Sequence, residues 1–168
     1  MFEEFFGSGT IDVIKGVDIA INLEKESIEY YNEKLKKMES RDAANLLKFI
    51  AKEEVTHLKE LEALRENLTR NRPWITADKL GKPHATEIYG EKNLPAIRED
   101  SGDVGILLGA ARAEEEARNF YEEFSRRIGD EKGKAFFIRL AEFEQTHYQL
   151  FSGILEASEV RVENAELP

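Results

Sequence analysis

Shifted by 90 residues, the chain lies over itself without a gap. "EKESIEYYNEKL" falls on "EEEARNFYEEFS", and "AKEEVTHLKEL" falls on "AEFEQTHYQLF". Glu24 matches Glu114 and Tyr31 matches Tyr121. Glu54-Val55-Thr56-His57 matches Glu144-Gln145-Thr146-His147, and Ser40 matches Asp130. Most other pairs differ, so this is a diverged duplication of one unit rather than a solenoid array. Any fold for this chain must therefore accept two copies of the same unit.

Each copy reads as a pair of helices. Apolar residues recur at steps of three and four near 10–38, 41–68, 102–128 and 131–157, the spacing of an amphipathic helix. Ser40 and Asp130 stand where the second and fourth helices should begin, and both are good N-cap residues. Residues 69–100 break the pattern with Pro73, Pro83, Pro95, Gly81, Gly90 and Trp74, which marks a long connection. The expectation is all-α: a four-helix bundle of two hairpins, joined by one long crossover between helices two and three. The crossover is long enough to run back along the bundle, so a two-fold perpendicular to the helices would relate the hairpins. Residues 1–168 are expected to form one domain, a size that buries a real core.

The apolar stripes are interrupted at one level. The second helix runs Leu47, Ile50, Glu54, His57, Leu61 and Leu64 along its bundle-facing stripe. The fourth runs Phe137, Leu140, Glu144, His147, Phe151 and Ile154. On the first and third helices the intruders are Glu24 and Glu114. Four carboxylates and two imidazoles thus aim at the middle of the core. Such acids cannot all stay ionised together, because burial and mutual repulsion raise their pKa values. Either most are protonated or cations sit among them. Two divalent ions would balance four carboxylates, and neutral imidazoles add donor atoms without charge. In an i, i+3 pair one residue can bridge two metals while the other ends on one. Oxygen and nitrogen donors without sulfur suit iron or manganese.

Composition removes several other readings. The formal charge of −10 disfavours nucleic acid as the main partner, since phosphate binding needs a basic stripe. It also disfavours anionic membrane surfaces. No cysteine is present, which excludes disulfides, thiolate zinc sites and thiolate-held iron–sulfur centres. No apolar run approaches the ~20 residues of a membrane span, and "MFEEFFGSGT" lacks a basic, then apolar, leader. The expected location is the cytoplasm.

The pattern of Glu24, Glu54-x-x-His57, Glu114 and Glu144-x-x-His147 resembles that of the ferritin-like di-iron carboxylate proteins. A Glu from each of two helices and a Glu-x-x-His from each of the others is the shared motif. Within that superfamily the chain is most similar to the rubrerythrin branch. The resemblance implies a ferritin-like bundle holding two iron ions, with manganese as the alternative. It implies a homodimer and an oxidoreductase acting on peroxide or dioxygen, with ferroxidase- or peroxidase-type chemistry. Typical rubrerythrins also carry a cysteine-ligated iron domain that feeds electrons. This chain has none, so the resemblance requires an external electron donor, such as a separate protein. Typical members add a carboxylate three residues beyond the third-helix Glu, where this chain has Ala117. That substitution weakens the expectation of efficient peroxidase turnover. Other readings keep the bundle: an iron-storage protein of ferritin type, a di-manganese catalase-like protein, or a structural bundle with protonated or paired acids.

Other residues remain open between two roles. Tyr31 and Tyr121 lie two turns beyond their Glu. They either fill the core and hydrogen-bond a carboxylate, or also tune the site and donate electrons. His84 and Glu87 sit in the crossover as solvated loop residues, or as a lid or an extra ligand. Phe2, Phe5 and Phe6 cap the bundle end or cover a partner. Gly105 and Gly109 hint at close helix packing, and "EASEVRVENAELP" reads as a frayed end.

Overall fold

The computed structural model describes residues 2–7, 11–90 and 92–165, excluding the side chains of 159–165. Six α-helices follow one another among the described residues: α1 (Glu3–Phe6), α2 (Val13–Lys34), α3 (Arg41–Thr69), α4 (Ala85–Tyr89), α5 (Gly102–Arg127) and α6 (Glu131–Ala165). The four long ones form the expected all-helical, ferritin-like bundle of two hairpins, α2–α3 and α5–α6.

Local chemistry sets the helix ends. The Asp12 side chain accepts from the Lys15 N–H at 3.0 Å, and Ser40 Oγ accepts from the Ala43 N–H at 3.3 Å. Asp130 Oδ1 accepts from the N–H groups of Lys132 and Gly133. Each cap satisfies a donor that the first helical turn leaves free. α3 stops where Asn71 takes φ +53°, a left-handed residue that asparagine tolerates. The first helix is shorter than expected. It begins at Val13 behind its cap and gives way to a turn at Leu35–Lys37, while residue 10 lies outside the described residues. Buried Asp103 of α5 fixes the turn that follows, accepting from the N–H groups of Glu39 and Ser40 at 2.8 Å each. α6 is longer than expected. Its backbone stays helical past 157 to Ala165, so the tail is not frayed over those residues.

Reciprocal contacts give the helix directions. Tyr121 of α5 reaches Glu24 of α2, while Tyr31 of α2 reaches Glu114 of α5. Ascending one helix means descending the other, so α2 and α5 are antiparallel. His57 of α3 packs on Phe143 of α6, while Glu53 reaches His147, so α3 and α6 are antiparallel too. Both contacts fit the two-fold expected from the duplication.

The apolar core divides into two clusters, one on each side of the polar level. One contains Val17, Leu61, Leu64, Phe120, Phe124 and Phe137; the other contains Leu46, Leu47, Ile50, Leu107, Phe151 and Ile154. Phe2, Phe5 and Phe6 pack on the first cluster, with rings against Phe120 and Phe124. They cap that end of the bundle. The crossover is not featureless. It holds a 3₁₀ turn (Ala77–Leu80) and α4, and buries Leu80, Ala85 and Ile97. Gly81 ends the 3₁₀ turn at φ +78°, a conformation that favours glycine. The 3₁₀ turn lies against α3 and α6, and Trp74 sits where a side chain at Gly133 would collide with it.

Candidate metal centre

The interrupted stripes meet as their spacing requires. Glu24, Glu54, His57, Glu114, Glu144 and His147 are each at most 2% exposed. Two groups each bring four ligand atoms within 4.8 Å of one another: Glu24, Glu54, His57 and Glu144; and Glu54, Glu114, Glu144 and His147. Glu54 and Glu144 belong to both. The acid of each Glu-x-x-His pair thus belongs to both groups, and each His to one.

The imidazoles face this cluster through Nδ1. His57 Nδ1 is 2.9 Å from Glu54 Oε2, 3.7 Å from Glu144 Oε1 and 3.9 Å from Glu24 Oε1. His147 Nδ1 is 2.9 Å from Glu54 Oε1, 3.4 Å from Glu144 Oε2 and 3.5 Å from Glu114 Oε2. The two rings lie nearly parallel, 6.2 Å apart at their centroids. Tyr121 donates to Glu24 at 2.5 Å, and Tyr31 donates to Glu114. Each tyrosine thus serves the carboxylate of the opposite hairpin.

Charge is unbalanced without a cation. Burial pushes the Glu24 and Glu144 carboxyls well up, and repulsion from Glu54 adds to it. Glu54 rises as well, first through burial and then through Glu114. Burial also raises Glu114, but the nearby His147 and the hydrogen bonds from Glu144 and Tyr31 outweigh it and bring it below the ordinary value. Burial lowers the His57 imidazole. His147 goes up despite burial, because Glu54 and Glu114 favour its charged form. Without a cation, these shifts favour protons on Glu24, Glu54 and Glu144.

Within the centre, Glu54 Oε1, Glu144 Oε1, His147 Nδ1 and His57 Nε2 are buried without a well-directed hydrogen bond, although His147 Nδ1 and Glu54 Oε1 lie only 2.9 Å apart. An unpaired buried polar atom costs about 1–3 kcal/mol. The first three belong to the donor sets above, so coordination would satisfy them. The residues present therefore fit a pair of divalent ions held by oxygen and nitrogen.

All six predicted ligands come together. Tyr31 and Tyr121 are fully buried and hydrogen-bond carboxylates, as the core-filling reading expected. His84 and Glu87 belong to neither donor group, and both are exposed. His84 packs its ring edge on Phe49, with Nδ1 3.6 Å from Glu53 Oε1. Ala117 is buried in the apolar cluster and brings no carboxylate to the site. Glu53 was missed: His147 Nε2 lies 2.9 Å from its Oε2. A signal existed, because the 90-residue shift sets Glu53 against Phe143 beside otherwise matching ligands. A cavity of about 390 Å3 borders this region, lined by Phe49, Lys52, Glu53, His57, His84 and Phe143 among others.

No helix among the described residues is long and apolar enough to cross a membrane. No curated protein and no solved structure matches the chain. The rubrerythrin family model matches residues 2–65 and 105–167, more than half of the chain. Each matched segment contains one Glu and one Glu-x-x-His of the centre. With the bundle, the duplicated motif and the family match in agreement, the chain belongs to the rubrerythrin family of non-haem di-iron proteins.

Proposed function

We propose that the protein is a di-iron oxidoreductase that reduces peroxide or dioxygen with electrons from an external donor. The carrying observation is the pair of donor groups that share Glu54 and Glu144. When bound, two iron ions would supply the two-electron redox chemistry that no side chain here provides. Glu24 and His57 would hold one ion, Glu114 and His147 the other, with Glu54 and Glu144 between them. Manganese satisfies the same donor chemistry, and the family match favours iron.

The chain's own residues do the positioning. The Tyr121 and Tyr31 hydroxyls orient the Glu24 and Glu114 carboxylates, so those acids keep one oxygen turned away from the tyrosines. Nδ1 of each imidazole must carry the lone pair, which puts its proton on Nε2. The two apolar clusters exclude bulk water from above and below the polar level. These 168 residues hold no cysteine to ligate an electron-feeding iron centre, so the reducing equivalents come from a donor outside the bundle, a protein or a small molecule.

The test is anaerobic loading of the metal-free protein with ferrous iron, followed by metal analysis and an optical spectrum on adding peroxide or oxygen. Two ions per chain and a rapid spectral change on adding oxidant are expected. Binding of one ion or none removes the basis of the reading. A hollow multi-subunit shell on a sizing column would favour storage, whereas a dimer fits the enzyme.

A further inference from the structure

The two halves of the centre are not equivalent. His147 Nε2 is held by Glu53 Oε2 at 2.9 Å, while His57 Nε2 is buried with no partner. The duplication explains the difference. Glu53 stands on α3 where Phe143 stands on α6. Across the antiparallel α3–α6 pair each residue faces the other helix's histidine. His147 therefore receives a carboxylate, and His57 receives an aromatic ring, with centroids 4.6 Å apart.

We propose that Glu53 is a positioning residue that makes the two metal positions unequal. The position served by Glu114 and His147 fills first and more tightly; the one served by Glu24 and His57 fills second. This rests on the two-metal reading above. A carboxylate accepting from Nε2–H keeps the proton there and leaves the Nδ1 lone pair free for the ion. It also fixes the ring plane and raises the basicity of the donor nitrogen. His57 has none of these aids. Its only hydrogen-bond contact is Nδ1 to Glu54 at 2.9 Å, on the metal-facing side, and once Nδ1 binds an ion its Nε2–H remains buried without an acceptor. The duplicated ligands are matched in kind, burial and tyrosine support, and the Glu53/Phe143 exchange is the asymmetry that touches the two imidazoles.

The experiment is anaerobic calorimetric titration of the full metal-free chain with ferrous iron alone. The wild type should take two ions with constants that differ by about tenfold or more. Glu53→Gln keeps a weaker acceptor, and Glu53→Leu removes it. The tighter constant should fall in that order, by about 10–100-fold in the leucine variant, and the weaker constant should hold. Single-position backgrounds assign the effect. With Glu24→Ala, which spares the His147 position, the Glu53 substitutions should still weaken binding. With Glu114→Ala, which spares the His57 position, they should not. Helical circular dichroism and metal-free melting confirm that each variant is folded. Equal losses in both backgrounds, or no loss in either, overturn the inference while leaving a two-metal site. Failure of the wild type to bind two ions overturns both.

Discussion

At the scale of single residues, bridging and terminal carboxylates should be separable by stoichiometry. Glu54 belongs to both donor groups and Glu24 to one. Glu24→Ala is therefore expected to retain about one ion and Glu54→Ala almost none, read by metal analysis after anaerobic loading. Tyr121→Phe should keep both ions. It should cost about 1–3 kcal/mol in chemical denaturation of the metal-free protein, because it strips a buried carboxyl of its donor. The six clustered donors were legible because a polar residue on a helix's buried stripe is conspicuous, and the duplication displays each one twice. Glu53 was not legible as a partner of His147. It lies one position off the stripe, and only the crossing of α3 against α6 brings it to the ring. The partner carboxylate of each tyrosine was hidden for the same reason. Sequence spacing places Tyr31 near Glu24, yet it bonds Glu114 across the bundle.

At the scale of elements, two glycines on one helix make opposite predictions. A Cβ at Gly109 would overlap the Tyr30 hydroxyl, which donates to the Ile106 carbonyl at 2.9 Å. Gly105 has nothing within 4 Å of the same position. Gly109→Ala should destabilise by about 1–3 kcal/mol through overpacking. Gly105→Ala should stabilise by up to about 1 kcal/mol through helix propensity. Thermal or denaturant unfolding of the two variants, side by side, checks the pair. The sequence hinted at close packing for both glycines, and tertiary contact makes it true of one. Helix starts were readable because Ser40 and Asp130 cap through local hydrogen bonds. Helix ends were less so. The connection that follows α2 is tied at Glu39 and Ser40 to Asp103, more than sixty residues away. The short helices of the crossover depend on the α3–α6 surface they lie against.

At the scale of the molecule, metal and protons should compete, and the sign of the pH dependence should reverse between states. In the metal-free fold burial raises the Glu24, Glu54 and Glu144 carboxyls above the ordinary carboxylic range, and the surrounding carboxylates raise His147 above the ordinary imidazole value. Each binds protons more tightly folded than unfolded, so its stabilisation is full below the unfolded pKa and fades as pH rises through the folded one. Lowering the pH from about 8 towards 6.5 should therefore raise the melting temperature of metal-free protein. Below 6.5 the lowered His57 begins to oppose the trend, because its neutral form is the one the fold prefers. The loaded protein should show the reverse over the same range, since ions must displace those protons to bind. Melting curves with and without chelator, at several pH values, test both halves.

The sequence by itself determined that this chain makes four amphipathic helices in two copies, and that six polar residues interrupt their buried stripes at one level. Those properties follow from the 3.6-residue period and from local capping, which need no distant partner. Only the tertiary structure decided which residues meet across the bundle. It set each tyrosine on the opposite hairpin's carboxylate, braced His147 with Glu53, and left the Nε2 of His57 facing no acceptor. Contacts between antiparallel helices depend on how the hairpins cross, and the pattern along any one helix carries no record of that crossing.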